Sequence, residues 1–149
     1  MSLAFHTDDL IAAIIAHLDS PEGGIAATIE SYPLPWAGSA LLPAVFVHFA
    51  ELRQREVGRQ LDQEYHFQLF YVMEDAGHAR PQQVARQRAQ QIATSLMANR
   101  RLGITAFDVT DSLVTLIASD NAVMRELRAR GQRRTAVQID LIITVAEAR

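Results

Sequence analysis

Between residues 8 and 19 the apolar side chains Leu10, Ile11, Ile14, Ile15 and Leu18 recur at the three- and four-residue spacing of a single helix face. Thr7 stands ahead of them as a candidate cap, and Asp8 and Asp9 fall in the first turn, where carboxylates favour the positive end of the helix dipole. The stretch SPEGG at 20–24 ends this pattern, because proline and paired glycines supply turn geometry and cannot extend a helical ladder. A short strand is expected over 27–32. The segment YPLPWAGSALLP then carries three of the five prolines and predicts an extended connection, with Trp36 as an anchor.

The period changes from here on. Residues 44–52 alternate Val45, Val47 and Phe49 against Phe46, His48 and Ala50, with apolar side chains on both sides. Residues 65–73 repeat the alternation, setting Tyr65, Phe67, Leu69, Tyr71 and Met73 against His66, Gln68, Phe70 and Val72. Two strands are predicted, paired antiparallel, and the obvious register makes His48 and His66 neighbours. Pro81 suits the first turn of a helix reaching to about 99, whose buried stripe is Ala85, Ala89, Ile92, Ala93, Leu96 and Met97. Arg100, Arg101 and Gly103 mark its end. Strand segments are expected near 104–109 and 113–118, and a long one over 135–146. In that last strand Val137, Ile139, Leu141, Ile143 and Val145 alternate with Ala136, Gln138, Asp140, Ile142 and Thr144, the pattern of one buried and one wetter face. Residues 120–131 fit either a short helix or an irregular loop. The order predicts an α/β fold of the α+β type: a mostly antiparallel mixed sheet with an N-terminal helix and a central helix packed on it.

At 149 residues, with 49% hydrophobic and 21% charged, the chain reads as one globular domain spanning 1–149. No stretch reaches the roughly 18 apolar residues that span a bilayer, and the N-terminus carries no signal-peptide pattern. Cysteine is absent, which excludes disulfides, thiolate metal sites and cysteine nucleophiles. The expected compartment is the cytoplasm. Two connections, 53–64 and 119–134, are long for so small a domain and dense in charge. Connections of that length are usually functional or disordered.

Chemistry is sparse. His6, His17, His48, His66 and His78 are scattered without metal-ligand spacing, and the serines lie in no nucleophile elbow. The glycines form neither a dinucleotide fingerprint nor a P-loop. The acid pairs Glu74 with Asp75 and Asp108 with Asp111 suit turn and edge solvation better than acid–base work. No enzyme activity, metal or cofactor is therefore expected, and no small-molecule substrate.

The strongest local charge signal is RELRARGQRR at 125–134. For nucleic acid one expects interleaved aromatics, and none occurs from 119 to 149, while the chain as a whole carries a net charge of −3. A solvated loop and a protein interface both remain open, and the second suits the residue choice: all 14 basic residues are arginine, whose planar fork pairs bidentately with carboxylates. The candidate interface residues are Arg53, Arg55, Glu56, Arg59, Asp62 and Glu64 from the first charged connection, and Glu74 and Asp75 from the acidic turn. Arg125, Arg128, Arg130, Arg133 and Arg134 join them from the basic run. The two acidic groups are candidate mates for that run on a neighbouring copy.

The sequence of an N-terminal helix, a proline-bearing loop, a strand pair spanned by a charged connection, a central helix RPQQVARQRAQQIATSLMANR and a closing strand TAVQIDLIITV resembles the tail terminator proteins of long-tailed bacteriophages and prophages, also called tail completion or minor tail proteins. The resemblance spans nearly the whole chain and rests on order and texture, with no motif to match residue by residue. It implies a structural, non-enzymatic virion protein that forms a homo-oligomeric ring, typically a hexamer, on the tail tube. Such a ring ends tube polymerisation and offers a surface to head connector proteins. Tail tube and connector proteins are the implied partners, and the implied location is the host cytoplasm during assembly and then the virion tail. Another head-to-tail joining protein of the same texture, or a small nucleic-acid-binding module using 125–134, are the alternatives.

Overall fold

A computed structural model describes residues 3–19, 30–33, 43–58, 60–75, 77, 79–98, 107–116 and 134–148. Among these described residues seven elements follow in chain order: α1 (Leu3–Asp19), β1 (Glu30–Pro33), β2 (Ala44–Val57), β3 (Gln60–Glu74), α2 (Pro81–Ala98), β4 (Phe107–Leu116) and β5 (Arg134–Ala148). The strands form one sheet in the order β1-β2-β3-β5-β4. β1 runs parallel to β2, and the other three pairings are antiparallel. The predicted α+β architecture, a mostly antiparallel mixed sheet with two helices on it, is the one observed.

Both helices cover the same face. α1 lies over β1 and β2, and α2 over β3, β5 and β4. The core between them joins Leu10, Ile14 and Leu18 of α1 and Ala85, Ala89, Ile92 and Leu96 of α2 to the odd-numbered side chains of the central strands, from Val45 and Val47 through Tyr65, Phe67 and Leu69 to Ile139, Leu141 and Ile143. Alternation of period 2 in the strands meets a 3.6-residue stripe in the helices, which is why both patterns were readable. Ala85 and Ala89 place methyl groups where α2 faces the sheet, letting helix and sheet approach closely. His17 Nε2 lies 3.0 Å from Ser95 Oγ, tying the last turns of the two helices together.

Several expectations need correction. α1 begins at Leu3, so Thr7 is inside the helix and is no cap; nothing in Leu3 and Ala4 opposes helix, and both are good formers. Met97, expected in the buried stripe of α2, is 37% exposed and Ala93 only partly buried, because the buried line runs through Ala85, Ala89, Ile92 and Leu96 and each of these two lies one residue further round the helix. β4 is one strand with a bulge between Val109 and Asp111, where two segments were expected, since one extra residue breaks the alternation without ending the ladder. The largest correction concerns 53–64. This stretch is no loop: β2 and β3 continue through it as a hairpin paired out to Val57 and Gln60. Polar residues dominate there because the sheet runs beyond the apolar core, and charge was mistaken for irregular backbone.

Candidate assembly surface

The hairpin turns at Gly58, whose φ of 61° lies in the left-handed region. A two-residue hairpin loop needs positive φ at its first central position, and glycine takes it without steric cost. A Cβ there would meet nothing within 4 Å, so the demand for glycine comes from the backbone alone. Further back a bulge interrupts β2: Phe49 stands opposite Phe67, but Glu51 stands opposite His66, leaving Ala50 as the extra residue. That residue resets the alternation. Leu52 returns to the helix-covered face and packs on the core, while Glu51 and Arg53 join His66 and Glu64 on the other face.

Five of the sequence-predicted interface residues, Arg53, Arg55, Glu56, Asp62 and Glu64, are thus gathered on one hairpin. Arg53 stands opposite Glu64 and Arg55 opposite Asp62, with Glu56 exposed near the turn, while Arg59 lies outside the described residues. Opposite charges across a strand pair contribute a few tenths of a kcal/mol to about 1 kcal/mol each. Arg53 Nη2 also lies 2.7 Å from Glu51 Oε1, in a pair whose side chains are 63% and 49% exposed. A pair so exposed adds little to stability. Charge on this hairpin nearly balances, four acids against three arginines over 51–64, so it presents a mixed surface and no basic stripe.

Glu74 and Asp75 lie at the opposite end of β3, not with the hairpin. Glu74 stands opposite Arg134 of the same chain, and Asp75 Oδ1 accepts a hydrogen bond of 2.5 Å from the Thr135 hydroxyl. Asp75 and Arg134 thus belong to the junction of β3 and β5 within one chain. Arg125, Arg128, Arg130 and Arg133 lie outside the described residues, as do Trp36, the 100–103 helix end and the 120–131 segment.

The face that carries no helix among the described residues divides in two. At one end Ala44, Phe46, Phe70, Val72 and Ala136 are fully or almost fully buried. Toward the hairpin the same face becomes polar, with His48, Gln68, Asp140, His66, Glu64 and Thr144 half-buried in consecutive rungs. The expected neighbouring of His48 and His66 takes another form: the strands pair in a register that sets His48 opposite Gln68, and the Ala50 bulge then sets His66 opposite Glu51, so the two imidazoles are not a cross-strand pair. His66 Nε2 lies 3.6 Å from Glu64 Oε1 and makes no hydrogen bond. Ala50, Glu51, His66, Gln68, Asp140 and Ile142 line an open depression of about 250 Å³ in this region. Sequence reasoning missed it. Asp140, a carboxylate in the middle of an otherwise apolar strand, was the available signal.

On the helix-covered face Tyr65 donates a 2.8 Å hydrogen bond from its hydroxyl to Gln63 Oε1, which satisfies two polar groups in a buried place. Burial pushes the Tyr71 hydroxyl above its ordinary pKa of 10.0, and the nearby Arg88 guanidinium offsets part of that rise. Among the described residues no group of three or more histidines and carboxylates is placed to hold a metal ion. No described helix is long and apolar enough to cross a membrane.

Neither a protein-family model nor a curated protein matches the sequence. Among solved structures the fold is similar to a chain in the virion of a native gene transfer agent particle. The likeness covers 94% of this chain and 95% of that one, at 14% identity and a TM-score of 0.50. At that identity it is a likeness of fold.

Proposed function

We propose that this chain is a structural virion protein of the tail-terminator kind, a protomer that assembles with copies of itself into a ring closing a phage-type tail tube. The observation that carries this reading is the end-to-end fold likeness to a component of a gene transfer agent virion, with almost nothing unmatched on either side. The sheet supports it. A ring protomer needs a rigid body and an arm that reaches its neighbour, and cyclic symmetry then repeats one contact around the ring. Here the body is the helix-covered sheet, and the arm is the charged end of the β2–β3 hairpin. Arginines stand opposite acids along that arm, which suits contact with another protein better than contact with phosphates. In this reading the protein has no catalytic residues and no cofactor. Its partners are its own copies, the tail tube and head connector proteins, met in the host cytoplasm and kept in the virion tail.

Size-exclusion chromatography with light scattering tests the reading: a hexamer, or an equilibrium that approaches one as concentration rises, is the expected result, with rings visible by negative-stain electron microscopy. A monomer at every concentration, and no ring on added tail tubes, contradicts it. Another head-to-tail joining protein of this fold would form a ring that binds the connector without halting tube growth in a polymerisation assay. The nucleic-acid alternative requires duplex binding that weakens steeply with salt, with a slope that flattens when Arg133 and Arg134 are neutralised.

A further inference from the structure

The depression lies on the face that carries no helix among the described residues, where β2, β3 and β5 run side by side. The Ala50 bulge brings Glu51 into register with His66, and one rung further on Gln68 stands opposite Asp140. Two carboxylates, an imidazole and an amide therefore open on one cavity of about 250 Å³, with Ile142 as its apolar wall. Resting on the ring reading above, we infer that this depression receives the guanidinium of an arginine from a neighbouring copy of the chain.

Charge complementarity selects the occupant. Asp140 is half-buried at mid-strand, opposite Gln68 on one side and Leu113 on the other, and the hydrogen bond it accepts comes from the neutral Gln138 amide. A carboxylate held in that setting gains most from a cation brought to it, because the surrounding sheet screens it less than water does. Glu51 is paired with the exposed Arg53, a contact weak enough to rearrange. The cavity is thus rich in acceptors. A second copy can offer only one kind of side-chain cation apart from histidine, since the chain has 14 arginines and no lysine. A planar five-donor fork spans a carboxylate and a second acceptor at once, which a point charge does not. A metal ion is the poorer fit, as no three ligating groups converge among the described residues.

Sedimentation equilibrium on the full chain tests this, comparing wild type with Asp140→Asn, Glu51→Gln and, as a control, Asp19→Asn at the exposed end of α1. Asp140→Asn is expected to weaken self-association by about tenfold, Glu51→Gln by less, and the control not at all. Urea unfolding of each variant shows whether the fold is kept. Should Asp140→Asn fail to fold, Glu51→Gln and a competition on the wild type carry the test: L-arginine must dissociate the oligomer at concentrations where L-lysine at equal ionic strength does not. If both variants associate like the wild type and arginine acts no better than lysine, the inference is overturned while the ring stands. A wild type that never associates overturns both.

Discussion

Phe67 is buried at the middle of the sheet, its ring centroid 5.6 Å from that of Phe49, and Phe49 also leans on Tyr65 at 6.3 Å. Such tilted aromatic packing adds to the burial of each ring. Phe67→Ala is therefore expected to cost about 3–5 kcal/mol, read as a lower urea midpoint with an unchanged slope. Tyr71 makes a different residue-scale prediction. Its folded pKa is raised above the unfolded value of 10.0, so the folded state holds the phenolic proton more tightly. The stability linked to this group is fully present below pH 10.0 and is lost as pH rises through the folded pKa. Urea unfolding at a series of pH values should show wild type losing stability above that point more steeply than Tyr71→Phe; parallel curves would refute the assignment.

At the scale of the element, the hairpin depends on two local devices. Gly58 must hold a φ of 61°, which a β-branched residue adopts only with strain. Gly58→Val is expected to destabilise the protein by roughly 1–2 kcal/mol and to speed amide exchange near the turn, with Gly58→Asn milder on both readouts. The bulge at Ala50 is the second device, and its importance is positional: were Ala50 to take an ordinary place in the ladder opposite His66, Glu51 would enter the core face and Leu52 would leave it. The turn was legible in principle, since VGRQ places glycine between two alternating runs. It went unread because the charged residues on either side mimic a loop. Bulges have no such signature, as an extra residue in a strand looks like any other until its partner strand is known.

At the scale of the whole molecule, the hairpin reaches past the helix-covered core with arginines standing opposite acids in its ladder. Exposed pairs of this kind contribute about 0–1 kcal/mol to folding, so removing them should spare the fold. On the proposed ring reading, Arg53→Ala with Arg55→Ala is expected to shift self-association toward monomer in light scattering while moving the melting temperature by no more than a few degrees. Equal loss of both, or of neither, would show that the hairpin is not the arm of the assembly. In the same reading, Arg125, Arg128, Arg130 and Arg133 replaced by alanine should lower the oligomer fraction in light scattering before they lower the melting temperature, whereas Arg134, at the β3–β5 junction, should affect folding as well.

What the sequence determined by itself is the set of elements and their buried sides, because period and burial are local consequences of backbone geometry. The stripe of Leu10, Ile14 and Leu18 and the alternation from Val137 to Val145 each name a face without reference to any partner. Tertiary structure alone decided the strand order, which interleaves β5 between β3 and β4, and it decided which polar residues meet. Glu51, His66, Gln68 and Asp140 come from three strands, and the first two meet only because Ala50 shifts one strand by a residue. Register is a property of pairs of strands, set by the summed packing of the whole sheet, and no single segment encodes it.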